Sequence, residues 1–106
     1  MEVKELTFPE VEESYLKNII HKQEKGVVVQ CGSVVLTKGQ LLPFKTLDSH
    51  EISYLISGKL KVSTKDGNEK VMNQGDLIYL NKEEIRETET LEDSKILFFL
   101  FNAVQK

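Results

Sequence analysis

The segment from Gly39 to Gly58, GQLLPFKTLDSHEISYLISG, constrains this chain more than any other. A glycine turn opens it and small polar residues, Thr46, Asp48 and Ser49, break it in the middle. A strand-forming stretch from Glu51 to Ser57 then runs into the closing Gly58. Pro43 has no backbone N–H to give to a ladder, which confines Leu41 to Leu47 to an edge or irregular strand. A second segment, Gly75 to Thr90, has a related layout. Asn73-Gln74-Gly75 turns, Asp76 to Leu80 reads as a strand, and Asn81 to Glu83 forms a loop. Between the two segments stands Lys65-Asp66-Gly67-Asn68, a hairpin signal because Asp-Gly tolerates positive φ.

The rest of the chain is read around these segments. Val27 to Gln30, Gly32 to Thr37, Lys59 to Thr64 and Glu69 to Met72 carry strand patterns. So do Glu84 to Glu89 and, after a turn at Leu91 to Ser94, Lys95 to Asn102. About nine short strands with turns at close intervals predict an all-β sandwich or barrel. The first 26 residues read differently. Val3 to Phe8 alternates as a short strand ended by Pro9. Val11, Tyr15, Leu16, Ile19 and Ile20 are spaced for one face of a helix over Glu10 to Gln23. Pro9 suits a first helical turn, Glu10, Glu12 and Glu13 suit its N-terminus, and Gly26 suits its C-cap.

Composition bounds the function classes. A chain of 106 residues suits a single domain over its whole length, and a net charge of −3 disfavours nucleic acid as a partner. Cys31 is the only cysteine, so no intramolecular disulfide forms, in keeping with a reducing compartment. The opening MEVKELTFPE has no apolar run behind a basic patch and does not read as a signal peptide. The longest apolar run, Ile96 to Phe101, falls far short of the ~20 residues of a membrane span. A soluble cytoplasmic domain is expected.

With these segments in place the chain resembles the cupin superfamily. The first cupin motif sets a glycine, His-x-His, a glutamate and a glycine at fixed spacings; here they fall on Gly39, Lys45-Thr46-Leu47, Glu51 and Gly58. The second opens on Gly-Asp and a strand, matched by Gly75-Asp76 and Leu77 to Leu80. It continues through Asn81, Glu83, Arg86 and Thr90. The resemblance covers about Cys31 to Phe101 and implies a single-domain cupin jelly roll, with motifs at 39–58 and 75–90 behind the N-terminal segment 1–26. Within the superfamily, Thr46-Leu47, Glu51, Tyr54 and Gly58 are similar to the ethanolamine-utilization cupins of the EutQ type, which also lack His-x-His. Leu42-Pro43-Phe44 departs from their Phe-Pro-Trp.

A cupin metal site uses three His and one Glu, donors that suit Mn, Fe, Ni or Zn at an open coordination position. The His positions here are Lys45, Leu47 and Arg86, so no metal and no cofactor is expected. The resemblance turns Lys45, Leu47, Glu51 and Arg86 into the barrel. A buried Glu51 carboxylate then needs Lys45 or Arg86 as partner. Two readings stay open: a structural ion pair, or a polar pocket in which Arg86 and Lys45 grip an anionic or carbonyl ligand. Tyr54 and Tyr79 are candidates to line the same pocket. His50 faces away from Glu51 by strand alternation. Cys31 sits in an apolar context with no nucleophile's partner, His21 faces solvent on the expected helix, and Glu83 to Glu89 form an acidic rim. Ile96 to Phe101 is apolar on both faces and needs cover on both, which predicts a homodimer.

Two function classes follow. One is a metal-free cupin that binds a small, anionic ligand or serves an accessory role in ethanolamine utilization. The other is an enzyme, with acetate- or acyl-phosphate-related or isomerase-like chemistry on Glu51, Lys45 and Arg86. The resemblance implies this chemistry; the spacing of the residues does not.

Overall fold

Two strands far longer than the ~5–6 residues usual in globular proteins organise the molecule. A computed structural model describes residues 1–10 and 14–103. It contains β1 (Leu16–Glu24), β2 (Val27–Leu36), β3 (Leu41–Lys45), β4 (His50–Thr64), β5 (Glu69–Asn73), β6 (Leu77–Leu80) and β7 (Arg86–Ala103). Every pairing is antiparallel. The long strands β4 and β7 pair along nearly their whole length and run through both halves of the molecule. The first half of β4 pairs with β6, and the facing half of β7 pairs with β2, which carries β1. The second half of β4 pairs with β5, and the facing half of β7 with β3. The result is two sheets joined by continuous strands and folded face to face, the antiparallel jelly roll expected from the two motifs.

The fold turns at Gly58. The β4–β7 register shifts between Leu55 and Leu60, and these bulges change which residues face inward. Before the shift Ser53 and Leu55 are buried; after it Leu60 and Val62 are. Gly58 has φ 101°, and a Cβ there would overlap the Ser94 hydroxyl and the Asp93 carbonyl. Only glycine fits both the left-handed backbone and the close approach. The segments read as two strands meeting at Gly58 are therefore one bulged strand. Arg86 to Glu89, the expected turn at Leu91 to Ser94, and Lys95 to Asn102 likewise fall on a single strand, β7, with Glu84 and Ile85 ahead of it. Val34, Leu36, Leu55, Leu60, Val62, Met72, Ile96 and Phe98 form the core between the sheets.

Among the described residues the helix expected over Glu10 to Gln23 is not present. Residues 11–13 lie outside the described residues, and Leu16–Glu24 is an edge strand on β2. The four-residue spacing of Leu16 and Ile20 comes from a bulge between Asn18 and Ile20. Leu16 pairs with inward Val34, whereas Ile20 pairs with Cys31 on the other face. Unpaired N–H and C=O groups along β2 outweigh the weak helical preference of this stretch. Gly26, at φ 78°, forms the β1–β2 hairpin turn and not a helix cap. Val3 to Phe8 is not a strand either. It crosses the outside of the first sheet, where the Ser33 hydroxyl donates to the Thr7 carbonyl at 2.5 Å. Lys95 Nζ stands 4.9 Å from the centre of the Phe8 ring.

Candidate binding cavity

Alternation on the long strands aims a small set of polar groups into the space between the sheets. On β7 the even-numbered residues point inward, from Arg86 and Thr88 at one end to Ile96 and Phe98 near the middle. On β4, before the bulge, the odd-numbered Glu51 and Ser53 point the same way. Glu51 belongs to one sheet and Arg86 to the other, so their contact ties the sheets together at one end. Arg86 Nη2 donates to Glu51 Oε1 at 2.5 Å, and the Ser53 hydroxyl donates to Glu51 Oε2 at 2.7 Å. The two charged side chains are 9% and 14% exposed. A bridge this dry is largely shielded from the solvent screening that weakens surface pairs.

Beside the pair lies a cavity of about 160 Å³. Its remaining wall is mostly apolar, including Leu36, Met72, Ile78, Leu80 and Phe98. Lys45 and Tyr15 also border it, and Lys45 Nζ donates to the Tyr15 hydroxyl at 3.4 Å. Lys45 is exposed, and among the described residues it makes no ion pair with Glu51; Arg86 alone fills that role. Tyr15, whose spacing suits a helical face in the sequence, borders the cavity instead.

Tyr54 and Tyr79 do not line this cavity, contrary to expectation. They stand on the outer face of the first sheet, 37% and 53% exposed. Each pairs across the ladder with another outward residue, Tyr54 with Leu97 and Tyr79 with Ile52. The parity that turns Glu51 and Ser53 inward turns Ile52 and Tyr54 out. His50 shares the outer face. Its Nδ1 is 3.3 Å from the Tyr79 hydroxyl, which also donates to Asn81 Oδ1 at 3.0 Å. His21 is exposed on β1. Cys31 is half-buried on β2, where burial pushes its thiol pKa up, an environment unsuited to a nucleophilic thiolate. In the acidic rim Glu89 holds Lys61 at 3.1 Å, and this bond, with Glu69 and Glu87 nearby, raises the lysine pKa.

The four positions that hold a metal in other cupins do not fit one here. Arg86 and Lys45 are cations, Leu47 has no donor, and Glu51 has both oxygens engaged by Arg86 and Ser53. Among the described residues no three His, Cys, Asp or Glu side chains gather at one point.

Fold and interior together define a cupin that carries a buried ion pair between its sheets. The chain belongs to the EutQ-like cupin family: the model of the EutQ-like cupin domain matches residues 23–96. Among solved structures it is similar to the EutQ protein of Clostridium difficile, at 21% identity and TM-score 0.69 over 86% of this chain and 69% of that one. A putative ethanolamine utilization protein Q from Salmonella typhimurium matches at 19% identity and TM-score 0.68, over 84% of this chain and 69% of that one. A conserved protein of unknown function from Streptococcus pyogenes matches at 14% identity and TM-score 0.72, over 91% of this chain and 80% of that one. These likenesses establish the fold. Comparison with curated protein sequences finds no match.

Proposed function

We propose that this chain is a metal-free cupin that holds a small molecule in the cavity between its sheets, in an accessory role tied to ethanolamine utilization. The observation that carries the proposal is the buried Glu51–Arg86 pair standing beside about 160 Å³ of otherwise apolar space. Pockets of this kind, apolar with a few convergent polar groups, are the usual form of a small-ligand site. Family membership supports the link to ethanolamine utilization, and a lone cysteine fits a cytoplasmic setting. Among the described residues no helix is long and apolar enough to cross a membrane. The test is a small-molecule panel followed by protein NMR. Binders should shift the signals of Met72, Ile78 and Phe98 and leave those of Tyr54 and Leu77 unmoved. A panel that shifts only outer-face signals, or none, overturns the reading.

The same proposal includes a homodimer through the outer face of the first sheet. Ile52, Tyr54, Leu77, Tyr79 and Phe99 are all exposed there, joined by Val29 of β2. Ladder pairing makes them neighbours: Ile52 lies opposite both Phe99 and Tyr79, and Tyr54 opposite Leu77. The N-terminal segment covers the end of this face near Ser33 and Lys95, and its Glu2 reaches Lys22, opposite Val29, at 2.8 Å. Contiguous exposed apolar surface of this kind marks an interaction site, and a second copy presents a matching patch. A monodisperse monomer in sedimentation at micromolar concentration contradicts this part of the proposal.

A further inference from the structure

We infer that the cavity takes its ligand as an uncharged molecule with a carbonyl-type acceptor for a head, and admits a carboxylic acid only with its proton on. The inference rests on the proposed ligand-binding role and adds the chemistry of the head group. It replaces the anion expected from Lys45 and Arg86.

Charge decides first. Among the described residues, the titratable side chains bordering the cavity are Tyr15, Lys45, Glu51 and Arg86. Glu51 pairs across the ladders with Leu80 and Leu100, so β6 and β7 bring no further charge opposite it. Arg86 is already neutralised by Glu51 in a dry contact. Lys45 is exposed and turned to Tyr15, where water screens it. An anion seated beside Arg86 would set two negative charges on one buried guanidinium. Burying a charge without its own counter-charge is strongly unfavourable.

Hydrogen-bonding capacity decides next. A guanidinium carries five N–H donors. Among the described residues Arg86 is seen to use its Nη2 alone, toward Glu51. Glu51 has both oxygens occupied, by Arg86 and by Ser53. Each Glu51 oxygen keeps one further lone pair, so the polar end of the cavity has more donors to spare than acceptors. A ligand oxygen that accepts is therefore better matched there than a head that only donates.

Size completes the description. Engineered apolar cavities of about 150 Å³ hold benzene, so roughly six to nine non-hydrogen atoms fit here. The apolar wall makes the rest of the molecule hydrocarbon.

Three near-isosteres make the test: 2-pentanone, butyric acid and pentane, each titrated by ligand-observed NMR into the full chain at pH 5 and pH 8. The ketone should bind equally at both pH values and more tightly than pentane. Butyric acid should weaken by roughly tenfold for each pH unit above its own carboxyl pKa, because only its protonated fraction is accepted. Glu51→Gln leaves the Arg86 charge unmatched and should reverse the order at pH 8, with butyrate tighter than the ketone. If the wild-type chain binds butyrate at pH 8 as tightly as 2-pentanone, the neutral-head inference is overturned while the ligand-binding role stands. If pentane binds as well as the ketone, the acceptor match is overturned. If none of the three binds, the ligand-binding role falls too.

Discussion

Removing one partner of the Glu51–Arg86 pair should cost far more than removing both. The side chains are 9% and 14% exposed, so the discount applied to surface pairs does not apply here. Arg86→Met leaves a carboxylate in an apolar wall with only the Ser53 hydroxyl for company. Breaking a buried pair from one side typically costs about 3–5 kcal/mol. The adjoining cavity can admit water to the stranded charge, which places the expected loss near the lower end, about 3 kcal/mol. A domain of this length has a total stability of roughly 5–15 kcal/mol, so that loss is a large share of it. It corresponds to a fall in melting temperature of roughly 10–25 °C. The double variant Glu51→Leu/Arg86→Met has no charge left to strand. It should lie within about 1 kcal/mol of the wild type or above it, since hydrophobic replacement of buried pairs is often neutral or stabilising. Urea unfolding of the wild type, the two single variants and the double variant gives the coupling directly. If the single variants fall within about 0.5 kcal/mol of the wild type, or the double loses the sum of the singles, the pair is not the buried, mutually dependent contact described here.

Other substitutions test separate parts of the fold. Gly58→Ala meets both a φ of 101° and the Ser94 and Asp93 atoms beside it; a loss of about 2–4 kcal/mol is expected in urea unfolding. Gly67→Ala, at φ 96° with open space around it, should lose only about 1–2 kcal/mol. Phe98→Ala empties a core position and should cost about 3–5 kcal/mol, measured in the same way. The Asp66 carboxyl is held below the usual range, first by the Thr64 hydroxyl and then by the Asn68 N–H. A lowered carboxylate pKa contributes stability above the unfolded-state value that is lost as pH falls through the folded value. Asp66 should therefore titrate below the ordinary aspartate range by NMR, and in Thr64→Ala its pKa should rise. Phe99→Asp should turn the proposed dimer into a monomer in sedimentation while leaving the circular dichroism spectrum unchanged.

The sequence carried the fold wherever glycines and alternation acted together. Gly39, Gly58, Gly67 and Gly75 all have positive φ, and the strands between them lie close to where period-two patterning put them. It misled where a bulge imitated a different period. The step between Asn18 and Ile20 made an edge strand look helical and hid Tyr15 from the site. Bulges in β4 and the unbroken run of β7 made two long strands look like four short ones. For the interior, the motif spacing pointed to Glu51 and Arg86, and the structure puts them in contact across the sheets. Parity counted from Glu51 already excludes Tyr54 from the cavity, since residues three apart on a strand face opposite ways. Tyr79 needed the register of β6 on β4, which a single sequence does not encode locally. The cavity depends on β3, Tyr15 and Leu16 coming to border it, a long-range arrangement that no local pattern records.

On the proposed reading the Glu51 carboxylate belongs to Arg86 and takes no metal ion. Elemental analysis of untagged protein purified without chelator, repeated after incubation with Mn, Fe, Ni and Zn, addresses it most directly. The expected result is metal far below one equivalent under every condition. Metal near one equivalent per chain, lost in Glu51→Gln, would contradict it and make the ion pair a feature of the empty protein alone.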